Sequence, residues 1–373
     1  VRIVSPEEFQ SAEFASKWRD FLSSGIEHDL GQSNGWNVCW WQRYGAFGPS
    51  AKSLFCLVAE GGGRIDAIWP LFMAARHGLK ILHWIGQAEG MITDYMLPLV
   101  RPGLLEPAIR EFYEFLAEQR SNWDVLDITI PAWTNHFSSF IRAAVVHGSK
   151  AGLAWNIEIS DQSAAVDLPA SFDAYLASLG QKTRSHLKQY LRAADKAGVR
   201  LECFSGQDLA AGLSDLFRIN NERWQVFTDE RPRAFLADLA TDRHREGAAS
   251  IVRLRHNDES LATAFCFENT GRFFVHSAGV VRKTVQGFNP GTVMYGLLIR
   301  SLIERGFRRL DFSPGLEEYK LRLGATVEPL IRLTMWSTSS RIKRWRALGA
   351  YRRVKSELKN VLPLRRAPAT AEE

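Results

Sequence analysis

The densest run of reactive side chains lies between residues 289 and 320. Asn289, Pro290, Gly291 and Thr292 open an apolar helical stretch that Gly306 closes. A short strand carrying Asp311 follows, then Glu317, Glu318, Tyr319 and Lys320. A helix start leaves backbone N–H groups unpaired at the positive end of its dipole, which suits a phosphate. Pro290 has no N–H and Gly291 no side chain, so a phosphorylated ligand could lie against this turn, although an ordinary helix cap uses the same residues. Asp311 stands at the C-terminal end of a strand, where open α/β sheets bind ligands; it could equally cap the next turn. The Tyr319 phenol could protonate a leaving group while the Lys320 ammonium holds an acceptor.

Two further features bear on chemistry. His276 alternates with Val275 and Ser277 in a strand, and its imidazole could take a proton from an ammonium or serve structure alone. Arg184, Lys188, Arg192 and Lys196 recur every fourth residue, one stripe on a helix whose like charges an anionic partner would relieve. A tRNA, a nucleotide-sugar diphosphate and a polyprenyl-linked glycan all fit that description, and so does plain solvent. The four cysteines are scattered with no CxxC pair, so free thiols are expected and a metal site is not.

The elements that must position these groups can be read from periodicity. Residues 199–204 alternate as a strand, 208–227 read as one long helix and 233–245 as another. Strands over 250–255, 261–267 and 273–279 form a meander across two Asn/Gly-rich turns. The helix after Asn289, a strand at 309–312, a short helix and a strand at 330–336 complete the order β-α-α-β-β-β-α-β-α-β. Residues 1–160 repeat it: a strand at 2–4, helices over 6–22 and 34–44, strands at 54–59, 64–72 and 80–85, a helix over 104–120 and a strand at 125–129. Leu126, Asp127 and Ile128 echo Leu310, Asp311 and Phe312. The reading is a duplicated α/β unit with mixed α+β sheets, divided into 1–160, 161–338 and a tail, 339–373.

The net charge of +6 is a property of that tail. Residues 341–373 hold ten bases against three acids, which leaves 37 bases against 38 acids in 1–340. Trp345, Leu348, Tyr351 and Leu358 recur at helical spacing among the bases, so residues 341–366 could lie on an anionic membrane or dock on the protein itself. The start, with Ser5 capping a helix that begins at Pro6, does not read as a signal peptide, and no apolar run would span a bilayer. A cytoplasmic protein is expected, one that the tail could bring to the inner membrane face.

The order of elements resembles that of GNAT acyltransferases, and its details resemble the CelD-type (BioF2-like) branch, a group associated with cellulose and other exopolysaccharide synthesis. The matching pieces are Lys182, Arg184, Leu187 and Lys188 opening a basic helix, Glu222-Arg223-Trp224, Asn289-Pro290-Gly291 where the family has Ser-Pro-Gly, Asp311 on its strand, and Glu317-Glu318-Tyr319-Lys320. The resemblance is strongest over 165–325; Asp94-Tyr95 and the aromatic residues 36–41 fit loosely. It departs at the phosphate loop, which keeps a single glycine at the turn into the helix.

The resemblance implies a duplicated GNAT fold and an N-acyltransferase taking an acyl group, acetyl above all, from acyl-CoA. The donor would meet backbone N–H groups of Ala278, Gly279, Val280 and Val281 on a splayed strand, with Arg282 beside them and Asn289, Pro290, Gly291 and Thr292 at the phosphates. Asp311, Tyr319, Lys320 and His276 would be catalytic. Arg184, Lys188, Arg223, Trp224, Asp94 and Glu317 would bind the acceptor, an amino sugar of a cell-surface polysaccharide precursor on a small-molecule or lipid carrier. The related Fem transferases use aminoacyl-tRNA instead, and a non-catalytic scaffold of an exopolysaccharide machine is a third reading.

Overall fold

Serine hydroxyls punctuate the opening helices, because each can accept a hydrogen bond from an otherwise unpaired N–H of a first turn. Ser5 caps α1 (Pro6–Phe9), Ser11 caps α2 (Ala12–Ser23) and Ser33 caps α3 (Asn34–Trp40), which runs on into a π turn. The second cap, at Ser11, breaks what the periodicity over 6–22 presents as one helix. The computed structural model describes residues 1–336 apart from 27, 29, 47–51, 77, 88–92, 94, 135, 136, 240–247, 270, 283, 284 and 286.

The remaining elements of the first half are β1 (Arg2–Ile3), β2 (Lys52–Leu54), β3 (Leu57–Gly61), β4 (Arg64–Trp69), β5 (Leu71–Arg76), β6 (Leu79–Trp84), β7 (Leu99–Val100), α4 (Leu105–Glu118), β8 (Val125–Pro131), α5 (Phe137–Lys150) and β9 (Ala154–Asp167). The strand expected over 64–72 is two strands. Pro70 cannot donate to a ladder, and at that point the chain passes from one sheet to another.

The second half contains α6 (Phe172–Ser178), α7 (Gln181–Lys196), β10 (Arg200–Ser205), α8 (Leu209–Asn221), α9 (Glu230–Leu239), β11 (Ala248–His256), β12 (Glu259–Asn269), β13 (Arg272–Val280), α10 (Pro290–Glu304), β14 (Arg309–Pro314), α11 (Glu318–Arg322) and β15 (Thr326–Trp336). The helix read over 208–227 stops at Asn221. Asn220 and Asn221 turn their side-chain oxygens onto the N–H groups of Val226 and Phe227, and Gln225 takes a left-handed φ of 58°. Arg223 and Trp224 therefore sit in a turn, not on a long helix.

Among the described residues the strands form a small sheet, β1-β3-β4-β7, and an eleven-stranded sheet ordered β10-β11-β12-β13-β14-β9-β15-β8-β6-β5-β2. The large sheet is nearly symmetric about its β9–β15 pair, with a parallel pair on each flank, β13 with β14 and β6 with β8. The final strand of each half lies against the other half: β9 pairs with β14, and β15 with β8. The boundary expected at 160/161 thus falls inside β9, a strand that both halves share. One apolar core joins the halves, with Trp36, Trp40 and Phe72 packed with Leu216, Phe235 and Phe265. The other face of the second half is covered by α7 and α10, and the first half has its own core under α4 and α5.

Candidate active site

Where β13 and β14 part, the sheet opens. They are paired over three residues, from Arg272 opposite Arg309 to Phe274 opposite Asp311, and then diverge. A β-bulge lies just beyond: Cys266 is opposite Val275 while Phe265 is opposite Ser277, so His276 is the extra residue and bends the strand. The Val281 N–H bonds the Leu261 carbonyl at 3.0 Å, and Gly279 faces Thr263 in the same ladder. Strand alternation then turns the N–H groups of Ala278 and Val280 toward the opening. The set read from the sequence divides accordingly: Ala278 and Val280 face the gap, Gly279 and Val281 face β12, and the Arg282 N–H is bound to the Glu222 carboxylate at 3.1 Å.

Gly279 has a packing role. A Cβ there would lie 2.7 Å from the Asn220 backbone nitrogen, so only glycine lets the end of α8 approach so closely. From that position the Asn220 side-chain amide donates to the Ala278 carbonyl at 2.8 Å.

At the open end lies a cavity of about 870 Å³, walled by the end of β13, the start of α10, Gln189 and Tyr190 of α7, and the Arg223 and Arg282 side chains. The start of α10 offers it less than the sequence promised. The Asn289 carboxamide oxygen caps the Thr292 N–H at 2.9 Å, the Val293 N–H bonds the Asn289 carbonyl, and Pro290 has no N–H, which leaves the N–H of Gly291. A Cβ at Gly291 would sit 3.2 Å from a methyl of Val280, so this glycine lets the helix press on β13 and its bare side does not enter the cavity. The two guanidinium groups supply the positive charge in its place.

Asp311, Tyr319 and Lys320 do not converge on one point. Lys320 is 2 % exposed, and its ammonium donates to the carbonyls of Ser313, Pro314 and Gly315 at 3.0–3.1 Å and contacts the Glu317 carboxylate at 2.8 Å. An ammonium has three donors, so this lysine holds the loop after β14 and has none left for an acceptor. Glu317 is its counter-charge. Tyr319, 37 % exposed, stacks on buried Tyr295 with ring centroids 5.5 Å apart. Burial pushes its phenol up to about 12, so it carries a proton throughout neutral pH, and Arg223 of the cavity wall is near enough to act on that ionisation.

Asp311 is completely buried and points toward the first half. Its Oδ1 accepts from the Tyr95 hydroxyl at 2.6 Å, from the Ser313 N–H at 2.8 Å and from the Ser163 hydroxyl at 3.4 Å. Among the described residues its Oδ2 has no hydrogen-bond partner; a guanidinium nitrogen of Arg272 is 3.7 Å away. Burial pushes this carboxyl up to about 6, against the opposing pull of Tyr95, Ser313, Arg272 and Arg309. The expected turn-capping role is present, in the bond to Ser313, alongside a cluster that the sequence did not reveal.

His276 belongs to the seam between the halves. Its ring packs against Trp36 and Phe267, with centroids 5.5 and 5.4 Å away, and its Nδ1 lies 2.9 Å from the Ser277 hydroxyl. Trp224 is 46 % exposed beneath the Arg223 guanidinium, 5.0 Å from its ring. Among the described residues Arg184 donates to the Ala177 carbonyl, at 3.5 Å, and Lys188 lines a separate groove of about 380 Å³ with Arg192, Arg300 and Phe172. Asp94 and the tail 341–366 lie outside the described residues. No group of His, Cys, Asp and Glu that could hold a metal ion occurs among the described residues, nor a helix long and apolar enough to cross a membrane.

Sequence reasoning missed Tyr95, Ser163, Tyr190 and Asn220 as site residues. Tyr95 was visible only as half of a loose match, and Ser163 lies in β9, a strand whose polar first part hid it. Nothing local announces a contact made across 216 positions.

Residues 181–321 match the family described as acetyltransferase (GNAT) domain. The chain as a whole has the fold of FemX, with 11 % identity and a TM-score of 0.62 over 89 % of this chain and 98 % of that one. It also has the fold of L-PGS from Bacillus licheniformis, with 12 % identity and a TM-score of 0.54 over 92 % of this chain and 96 % of that one. A comparison with curated proteins finds no match. The fold is thus a mixed α/β, duplicated GNAT fold, and residues 181–321 of its second half carry the match to an acetyltransferase (GNAT) domain.

Proposed function

We propose that this GNAT-domain chain is an N-acyltransferase that receives an acyl group, acetyl in the simplest case, from acyl-CoA and passes it to an amine. The observation that carries the reading is the parting of β13 from β14 beside a cavity of about 870 Å³. A thioester needs little covalent help. The protein must hold an uncharged amine against it, polarise its carbonyl and manage two protons.

The residues fit those tasks. The Arg223 and Arg282 side chains suit the phosphates of the donor, in a cavity large enough for an extended ligand. The N–H groups of Ala278 and Val280 face the gap in which an acyl carbonyl would lie, a preorganised pair of donors. Tyr319, protonated and beside Arg223, is suited to give its proton to the departing thiolate. Coenzyme A supplies an activated acyl group and a good leaving group; the chain supplies the rest.

The acceptor, an amino sugar on a nucleotide or lipid carrier bound for surface polysaccharide, rests on the resemblance to the CelD-type branch. The reading with aminoacyl-tRNA as donor is favoured by one observation, the near-complete capping of the α10 start, which weakens its hold on a pyrophosphate. Calorimetry of the purified chain against acetyl-CoA, longer acyl-CoAs and tRNA separates the two. Saturable acetyl-CoA binding with transfer to glucosamine supports the first, and steeply salt-dependent tRNA binding without CoA binding replaces it.

A further inference from the structure

The seam between the halves holds a buried cluster to which the donor site gives no task. It joins Tyr95 from the first half, Ser163 from the shared strand β9, Asp311 from β14 and Arg272 from β13. The Tyr95 hydroxyl and the Ser313 N–H donate to Oδ1 of Asp311, and the Ser163 hydroxyl, hydrogen-bonded to that of Tyr95, lies 3.4 Å from the same oxygen. None reaches Oδ2. Among the described residues a guanidinium nitrogen of Arg272 lies 3.7 Å from that oxygen; the side chain is 23 % exposed and stacked over Phe274 at 5.0 Å, and its Nε and that nitrogen make no hydrogen bond. A fully buried carboxylate oxygen and a guanidinium that meet at 3.7 Å, with no hydrogen bond at Oδ2, Nε or that terminal nitrogen among the described residues, form a pair that native interiors seldom leave without a task.

We infer that Oδ2 of Asp311 is the proton acceptor for the incoming amine, with Tyr95 and Ser163 as positioning residues that lock Oδ1 and with the Arg272 side chain as a displaceable cover. This rests on the acyltransferase reading and names the residues of the first half that its acceptor side requires. The step balances: an N–H bond of the substrate ammonium breaks, an O–H bond forms at Oδ2, and the nitrogen keeps its electron pair as a neutral nucleophile. Asp311 is neutral afterwards, so the attraction holding Arg272 over it weakens as the proton arrives. The position fits the task, because Asp311 forms the last pair of β13 with β14, at the point from which the strands diverge toward Ala278 and Val280.

The charge environment supports the geometry. Facing Asp311 are Arg272 on β13 and Arg309 on β14, the latter engaged with Glu328 of β15 and Asp167 of β9. Burial outweighs both cations and leaves the carboxyl near 6, the range in which a base works best near neutral pH.

Tyr95→Phe removes one hydroxyl that stabilises the carboxylate. In the full chain, with acetyl-CoA and glucosamine as probes, the acid limb of kcat/KM should move up by about one pH unit and acetyl-CoA affinity should not change. The Asp311 carboxyl, followed by 13C NMR with labelled aspartate, should move in parallel. Ser163→Ala, a milder change, should shift both in the same direction by less, and it decides the matter if Tyr95→Phe does not fold. Superimposable pH profiles, or full activity in Asp311→Asn, would overturn the proposal. Failure of the wild type to bind acetyl-CoA would overturn the donor reading alone, and the NMR titration would then decide the coupling between Tyr95 and Asp311.

Discussion

The Lys320 ammonium lies 3.1 Å from the carbonyl oxygen of Ser313, a residue held at a left-handed φ of 59°. Asp311 holds the N–H of the same residue. A strained, non-glycine backbone position is thus gripped at both ends by ionisable side chains, and the turn between β14 and α11 depends on them.

Lys320→Met removes the grip and leaves three carbonyls without their donor. The expected loss is on the order of 3 kcal/mol in urea unfolding, because buried acceptors deprived of a charged partner are costly. If Lys320 instead served an acceptor directly, turnover would collapse while the unfolding midpoint stayed put.

The buried Asp311 carboxyl makes the opposite prediction about stability. Its folded value, near 6, lies above that of an unfolded aspartate, so the folded state binds the extra proton between about pH 4 and 6. Stability from this group is full below that window and is lost as pH rises through it, a cost on the order of 2–3 kcal/mol at neutral pH. Asp311→Asn should therefore unfold at higher urea than the wild type at pH 8, and the advantage should vanish only below about pH 4. An unchanged difference across that range would show that Asp311 titrates normally.

Tyr319→Phe keeps the ring on Tyr295 and removes only the hydroxyl. Turnover is expected to fall about 10²- to 10⁴-fold with acetyl-CoA affinity unchanged, as for the loss of a general acid. The deficit should shrink with a donor whose thiol is more acidic, since that leaving group needs less protonation. A deficit independent of the thiol would assign the hydroxyl another task.

The reciprocal placement of β9 and β15 predicts how the chain can be divided. Residues 161–338 alone would keep the pairing of β14 with 163–167 of β9 but leave Ile331–Trp336 of β15 without both β8 and the first part of β9, so this piece should be aggregated or poorly protected in hydrogen exchange. Co-expression with 1–160 should recover a soluble pair. A well-folded, CoA-binding 161–338 would show that the strand exchange is dispensable.

Much of this was legible in the residues because the signals are local. The Asn-Pro-Gly opening placed α10 correctly, since a cap, a proline and a following apolar run act within one turn. The meander over β11, β12 and β13 followed from alternation and short turns. The errors were local as well: Ser11 and Pro70 end elements that hydrophobic periodicity alone runs together, and Asn220 and Asn221 stop α8 with their own side chains.

By itself the sequence determined the kinds of element, their order and its duplication, and a short roster of groups able to do chemistry, because propensity, capping and periodicity are decided by neighbours along the chain. The tertiary structure alone decided which of those groups meet. It turned Lys320 inward onto three carbonyls, withdrew the start of α10 from most phosphate contacts by an Asn289 cap, and laid β9 and β15 across each other's halves so that Tyr95 reaches Asp311. Burial, the placement of partners and the shift of a carboxyl toward neutrality depend on packing between distant segments, and no pattern within either segment encodes them.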